Sequence, residues 1–284
     1  MSLRELGRKS VKTLGLATLA AIMSLESASA ATCGNNADGF DEWLAGFRRE
    51  AVGAGISPRV VDASLADVAY DDSVISHDRG QRAFSQSFAT FSAKRLSGQA
   101  VKRGRNMLLR YAEPLEKIER RYGVPGPVLI AIWGLETGYG ASSGNYPTFS
   151  SLATLAYDCR RAEKFREELL DALKLVQRGV LEPSQMRGAW AGEIGQTQFM
   201  PSSYLKYAVN ENGMGAGDLI NSPGDALAST ANFLHSNGWQ RGGGWNVGQP
   251  NFAALLEWNN AEVYARTIAT FAEKIAAGAG DENQ

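Results

Sequence analysis

Apolar residues recur along most of the chain at intervals of three and four, the spacing of one face of an α-helix. In DGFDEWLAGFRREAVGAG, Phe40, Trp43, Leu44, Phe47 and Ala51 share such a face, with Asp38 placed as an N-cap and glycines at the end. SPRVVDASLADV opens with Ser57 as cap and Pro58 at the first helical position. GQAVKRGRNMLLRYAEPLEKIERRYGV carries Val101, Met107, Leu108, Tyr111, Leu115, Ile118 and Tyr122 in helical register, and Pro114 is expected to kink or divide it. RAEKFREELLDALKLVQRG, SPGDALASTANFLHSNGW and AEVYARTIATFAEKIAAG read as three more amphipathic helices. Strand signals are few and short, and no internal repeat or Pro/Ser linker appears. The pattern predicts a mainly α domain over 31–277, with an N-terminal helical part at about 38–122, a core at about 123–277 and a polar tail at 278–284.

One helix breaks the amphipathic rule. GPVLIAIWGLETGYG starts at Pro127, ends at Gly138 and is apolar nearly all round through Val128, Leu129, Ile130, Ile132 and Trp133, so it is expected to be buried. Glu136 lies in its last turn, with Ile132 and Trp133 on its own face. Burial disfavours the charged carboxylate, and so does the negative end of the helix dipole. A carboxyl so placed holds a proton near neutral pH and can give it to a leaving group. Taken alone, the stretch reads more simply as a helix-edge glutamate, solvated or paired with a base.

A second unusual stretch is GAWAGEIGQTQFMPSSY, residues 188–204. Gln196, Gln198, Ser202 and Ser203 crowd beside Trp190, Phe199 and Tyr204. Amides and hydroxyls next to aromatic faces suit a neutral polyhydroxylated ligand; a loop that merely caps the following helix explains the same residues. Glu193 in this stretch is read chiefly as a structural acceptor for loop backbone N–H groups. The other use open to it is that of a second carboxylate.

Composition narrows the classes. The chain has 284 residues, a formal net charge of -1 and 44% hydrophobic residues, an ordinary globular balance without the basic excess of a nucleic-acid binder. His77 and His235 stand far apart without ligand-spaced neighbours, and no D-x-D-x-D-G loop occurs, so neither metal nor cofactor is implied. The first thirty residues differ in kind: Arg4, Arg8, Lys9 and Lys12 precede LGLATLAAIMSL, and Ala-Ser-Ala follows at 28–30. That is the layout of a signal peptide cut after Ala30, and the apolar run falls short of the roughly 20 residues of a membrane span. An exported chain brings Cys33 and Cys159 into an oxidising compartment, where a disulfide is expected; one buried and one loose thiol is the alternative.

AIWGLETGYGASSGNYPTFSSLATLAYDCRRAEKFREELLDAL followed by MRGAWAGEIGQTQFMPSSYLKYAVN closely resembles the lytic murein transglycosylase B family. The likeness extends to DRGQRAFSQSFATF upstream and to DALASTANFLHSNGW and EWNNAEVYARTIATFAEKI downstream, in the family's order. It implies an α+β, lysozyme-like fold with few strands. It also implies a periplasmic enzyme that cuts peptidoglycan glycan strands to 1,6-anhydromuramyl ends, without cofactor, nucleic acid or stable membrane insertion. It assigns the catalytic acid to Glu136 of WG-x-ET-x-YG. The sugar site falls to Gln198, Asn232, Trp258, Asn259 and Tyr264, with Phe233, Trp190 and Tyr139 as further ring contacts. The chain departs from the pattern at Ala189, where the family often has a hydroxyl, and at Phe233 and Trp258, where tyrosines are expected. A hydrolytic muramidase on the same fold and a catalytically weak peptidoglycan-binding scaffold are the two alternatives. A pure binder has no use for a buried acid.

Overall fold

The computed structural model describes residues 33–80 and 86–277. The expected signal peptide, the polar tail and the centre of DRGQRAFSQSFATF therefore lie outside the described residues. Three helices come first: α1 (Phe40–Gly53), α2 (Pro58–Leu65) and α3 (Asp72–Arg79). Next are α4 (Phe88–Arg95), α5 (Gly98–Arg110), α6 (Ala112–Tyr122) and the acid-bearing α7 (Gly126–Thr137). Strand β1 (Tyr146–Pro147), α8 (Thr148–Tyr157), α9 (Ala162–Gln177) and β2 (Arg187–Gly188) follow, then α10 (Pro201–Tyr207), α11 (Pro223–Ser236), α12 (Phe252–Trp258) and α13 (Glu262–Ala276). The two strands pair antiparallel, Tyr146 opposite Gly188. Among the described residues the architecture is mainly helical with one short β ribbon.

The helices gather around two apolar cores. The first takes α1, α2, α8, α9 and α10, with Phe47, Phe165, Phe199 and Tyr204 fully buried. The second takes α6, α7, α11, α12 and α13, with Trp133, Ile132 and Phe271 at its centre. Phe233 and Trp258 pack against both and form the seam. Helices preceding residue 122 do not form a body of their own: α1 and α2 join the first core, and α4 (through Phe91) and α6 the second. Sequence order alone could not show this, because each helix carries one apolar face without naming its partner.

Local chemistry explains most helix boundaries. The five expected face residues of α1 are all buried, and the Ser57 side chain caps α2 by accepting from Val60 N–H with Pro58 at its start. The cap of α1 is Gly39 at φ 81, not Asp38, whose backbone carbonyl instead accepts from Tyr157 Oη. The long α5–α6 segment breaks at Tyr111, so Pro114 falls in the first turn of α6, where its missing N–H costs no hydrogen bond. Every residue of α8 is buried, its polar ones included. Thr154 Oγ1 accepts from Asp71 N–H at 3.1 Å and Ser150 Oγ from Ala69 N–H at 3.4 Å, so this helix pins the α2–α3 connection.

Cys33 and Cys159 are joined in a disulfide. The backbone around it is paired as well, Gly34 N–H donating to Tyr157 O at 2.9 Å and Cys159 N–H to Gly34 O at 3.2 Å. Buried Asp158 meets Arg79 at 2.6 Å, and buried Asp78 takes both Arg160 and Arg161. The buried carboxylates depend on these partners, since losing one would leave a buried charge unpaired. The ion pairs therefore join α3 to the α8–α9 corner, and the disulfide ties the segment before α1 to the same corner.

Candidate active site

Helix α7 begins after Pro125 and ends at Gly138, whose φ of 59 is the left-handed conformation a glycine adopts without a Cβ penalty. Glu136 projects from its last turn towards the seam between the cores. Trp258 Nε1–H, from the end of α12, donates to Glu136 Oε1 at 3.0 Å. Tyr264 Oη–H, from the first turn of α13, donates to the same oxygen at 2.8 Å. Burial pushes the Glu136 carboxyl up to about 7, although both hydrogen bonds pull it down and the nearby Glu193 raises it further. With both donors on Oε1, the proton belongs on Oε2.

The rest of WGLETGYG clamps the acid helix to the glycine-rich loop. Trp133 Nε1–H donates to Gln196 Oε1 at 3.1 Å, and Thr137 Oγ1–H to Gln196 O at 2.6 Å. Gly140 N–H donates back to Thr137 Oγ1 at 2.9 Å, and Gln196 Nε2–H reaches Ile220 O at 3.1 Å. Gln196 is therefore a brace rather than a sugar ligand. Ser202 is likewise spent on Glu168, which takes its N–H at 3.0 Å and its hydroxyl at 2.7 Å, and Tyr204 Oη–H donates to Gly217 O at 2.8 Å.

Tyr139 turns away from the cleft. It sits at φ 67, and its ring packs edge-on to Trp133 at 5.5 Å, with the Arg103 guanidinium 5.4 Å from its centroid. Burial lifts its hydroxyl to about 12. A Cβ on Gly134 would lie 2.7 Å from that hydroxyl, and one on Gly104 3.1 Å from it. The glycine and tyrosine of the motif are thus a packing pair, and Tyr139 is not among the residues that line the cleft. Gly134→Ala should cost about 1–3 kcal/mol by overpacking, read as a lowered midpoint in thermal or urea unfolding.

The seam opens as a cleft of about 370 Å³, lined by Glu136, Ala189, Trp190, Glu193, Gln198, Phe199, Met200, Ser203, Phe233, Trp258 and Asn259. Its loop is a tight turn: Ile194 and Phe199 exchange backbone hydrogen bonds at 2.8 and 3.0 Å around Gly195 (φ 80) and Gln198 (φ 55). A non-glycine residue at positive φ is a strained conformation of the kind that clusters at functional sites. Gln198 Nε2–H donates to Ser143 O at 3.1 Å and to Gly195 O at 2.8 Å, which leaves its Oε1 as a free acceptor. Trp258 meets Phe233 at 5.1 Å and Phe199 at 5.4 Å, both edge-on, so the cleft floor is a rigid aromatic cluster.

The structure brings Glu136, Gln198, Phe233, Trp258, Asn259 and Trp190 to this cleft. Tyr264 is not among the lining residues, and its hydroxyl meets the acid of the cleft, Glu136. Asn232 is not among the lining residues, and its Nδ2–H donates to Tyr207 O at 2.9 Å, bracing α11 against α10. Met200 lines the cleft without having been singled out, and nothing in its local spacing marks it. Glu193 also lines it, with Oε2 accepting from Ala191 N–H at 3.1 Å; burial raises its carboxyl, while its own N–H, that of Ala191 and then Lys164 and Arg161 lower it. Among the described residues no group of three or more His, Cys, Asp or Glu is placed to hold a metal ion.

The chain that presents this anchored carboxyl over an aromatic, amide-bearing cleft belongs to the transglycosylase SLT domain family, whose model matches residues 39–249. It is 38% identical over 133 residues to membrane-bound lytic murein transglycosylase B of Escherichia coli (strain K12), a match covering 46% of this chain and 37% of that relative's length. Its fold is similar to that of SltB3 from Pseudomonas aeruginosa, solved with NAG-anhNAM-pentapeptide, at a TM-score of 0.78 and 32% identity over 84% of this chain and 79% of that one. The Escherichia coli lytic transglycosylase Slt35, solved with calcium, shares the fold at a TM-score of 0.73 and 23% identity, covering 89% and 98% of the two chains.

Proposed function

We propose that this chain is a lytic transglycosylase that cuts the bond from N-acetylmuramic acid to N-acetylglucosamine in peptidoglycan, with Glu136 as both acid and base. The observation that carries the reading is the Glu136 carboxyl itself, held through one oxygen by Trp258 and Tyr264 and raised to about 7. Glu136 Oε2 gives its proton to the linking oxygen as the bond from the muramyl anomeric carbon breaks. The muramyl acetamido group supports the positive charge that develops. The carboxylate then takes the proton of the same sugar's C6 hydroxyl, whose oxygen closes onto the anomeric carbon. Water is not consumed, so one group serves where hydrolytic glycosidases pair two.

The binding residues fit the same reading. Gln198 Oε1 accepts from a hydroxyl or acetamido N–H, Ser203 and Asn259 add polar contacts, and Trp258, Phe233 and Trp190 offer ring faces to the sugars. No described helix is long and apolar enough to cross a membrane, and the basic-apolar start of the chain, with the disulfide, supports export to the periplasm. The test is mass spectrometry of muropeptides released from purified peptidoglycan. Products lighter than hydrolytic ones by one water support the reading, and hydrated products overturn it.

Hydrolysis with Glu193 as a second carboxylate is the one other reading with an observation behind it, since Glu193 shares the cleft. Its Oε2 is already committed to Ala191 N–H, and Gln at this position keeps that acceptor. Glu193→Gln is therefore expected to retain anhydro products. Its charge raises the Glu136 carboxyl, so its removal should move the alkaline limb of the kcat/KM profile to lower pH. Loss of all product would instead make Glu193 essential.

A further inference from the structure

The cleft does not end at Trp190. The His77 ring, carried by α3, stacks on the Trp190 indole with centroids 5.9 Å apart and planes at 22°. Tyr146, on β1, stands edge-on to the same imidazole at 5.9 Å, and its hydroxyl lies 3.0 Å from His77 Nε2. Three rings from three separate elements thus form a continuous row that starts at the cleft wall and leads to an exposed histidine.

The row is held in place. Tyr146 pairs across the ribbon with Gly188, two residues before Trp190. Arg187, beside it, donates from Nε to Asn145 Oδ1 at 2.6 Å and from Nη2 to Asn145 O at 2.7 Å. His77 belongs to the helix that the Asp78–Arg160–Arg161 cluster fastens to α9. A preorganised aromatic surface is what stacking on a sugar ring requires, because little entropy is lost when the ring settles. The contact between His77 Nε2 and the Tyr146 hydroxyl fixes the two rings against each other.

We propose that Trp190, His77 and Tyr146 form a distal subsite for a further N-acetylated pyranose ring of the glycan strand whose scissile bond lies at Glu136. This rests on the transglycosylase reading above and adds to it a preference for longer strands. A polymer seated in a cleft of about 370 Å³ must leave it, and this row is continuous with the wall at Trp190. His77 and Tyr146 have no part in the chemistry and act through substrate length alone.

The test uses the mature protein with Glu136→Gln to prevent cleavage, and calorimetric binding of purified glycan strands of four and of eight sugars. The octasaccharide is expected to bind the tighter. Adding His77→Ala should weaken the octasaccharide about tenfold, the scale of one lost ring stack, while the tetrasaccharide changes less than twofold. Tyr146→Phe, which removes only the hydroxyl beside His77, should weaken the octasaccharide about threefold. Thermal unfolding checks that each variant is folded. An equal loss on both strands would make His77 a brace for Trp190 and overturn the subsite; so would no loss on either. Failure of the Glu136→Gln parent to bind any strand would sink the transglycosylase reading itself.

Discussion

Glu136→Gln is expected to lower turnover of peptidoglycan by about a thousandfold or more, since a general acid contributes ~10²–10⁴ and this one is also the base. The amide keeps an acceptor for Trp258 and Tyr264, so glycan binding should survive, and anhydro products should vanish from the mass spectrum. In the wild type the carboxyl must carry its proton to act. As burial raises it to about 7, kcat/KM should decline above that pH, tenfold per unit. A variant that still releases anhydro ends at a comparable rate would remove Glu136 from the mechanism.

The same carboxyl makes a stability prediction of opposite sign. Its folded value lies above the 4.5 of an ordinary glutamate, so the native state binds the proton more tightly than the unfolded chain. No stability is lost below pH 4.5; it is lost progressively as pH rises to about 7, and the deficit is constant beyond. Glu136→Gln escapes that loss. At pH 8 it should be the more stable protein, by up to about 3 kcal/mol, and at pH 4 the two should coincide. A site that costs stability in order to hold a reactive proton is a common trade.

Removing the disulfide should have the largest effect on stability. The link spans 126 residues, and closing a loop of that length in the unfolded chain is worth about 4–5 kcal/mol in the chain-entropy limit. Cys33→Ser with Cys159→Ser, or the wild type in dithiothreitol, should unfold at markedly lower urea concentration. Helicity before the transition should be retained, because α1 keeps its buried face without the link. A midpoint unchanged by reduction would mean that the backbone bonds between Gly34 and residues 157 and 159, with the Tyr157 hydroxyl on Asp38 O, hold the N-terminus without the link.

How far the chain could be read in advance differs between helix and site. The five buried residues of α1 and the all-round burial of α7 follow from apolar spacing. The caps at Ser57 and Gly138 follow from residue type. Asp38 failed as a cap because Gly39 already makes the turn and Asp38 answers to Tyr157, 119 residues away. Tyr139 and Asn232 belong to recognisable motifs, yet Tyr139 fills the space beside two glycines and Asn232 holds a neighbouring helix. A motif marks that a residue matters and does not say whether it touches a ligand or another part of the fold.

From the sequence alone come the helices, the buried position of a lone carboxyl at a helix end, the polar-aromatic loop and the pair of cysteines. Each depends on residue type and short-range spacing, which local dihedral preferences and one-sided burial translate directly into structure. Only the tertiary structure decided which core each helix joins and which amides brace instead of bind. It alone placed Trp258 and Tyr264, 122 and 128 residues from Glu136, on a single oxygen of the acid. Such pairings lie where two cores meet at a seam, and no local pattern records which side chains will meet there.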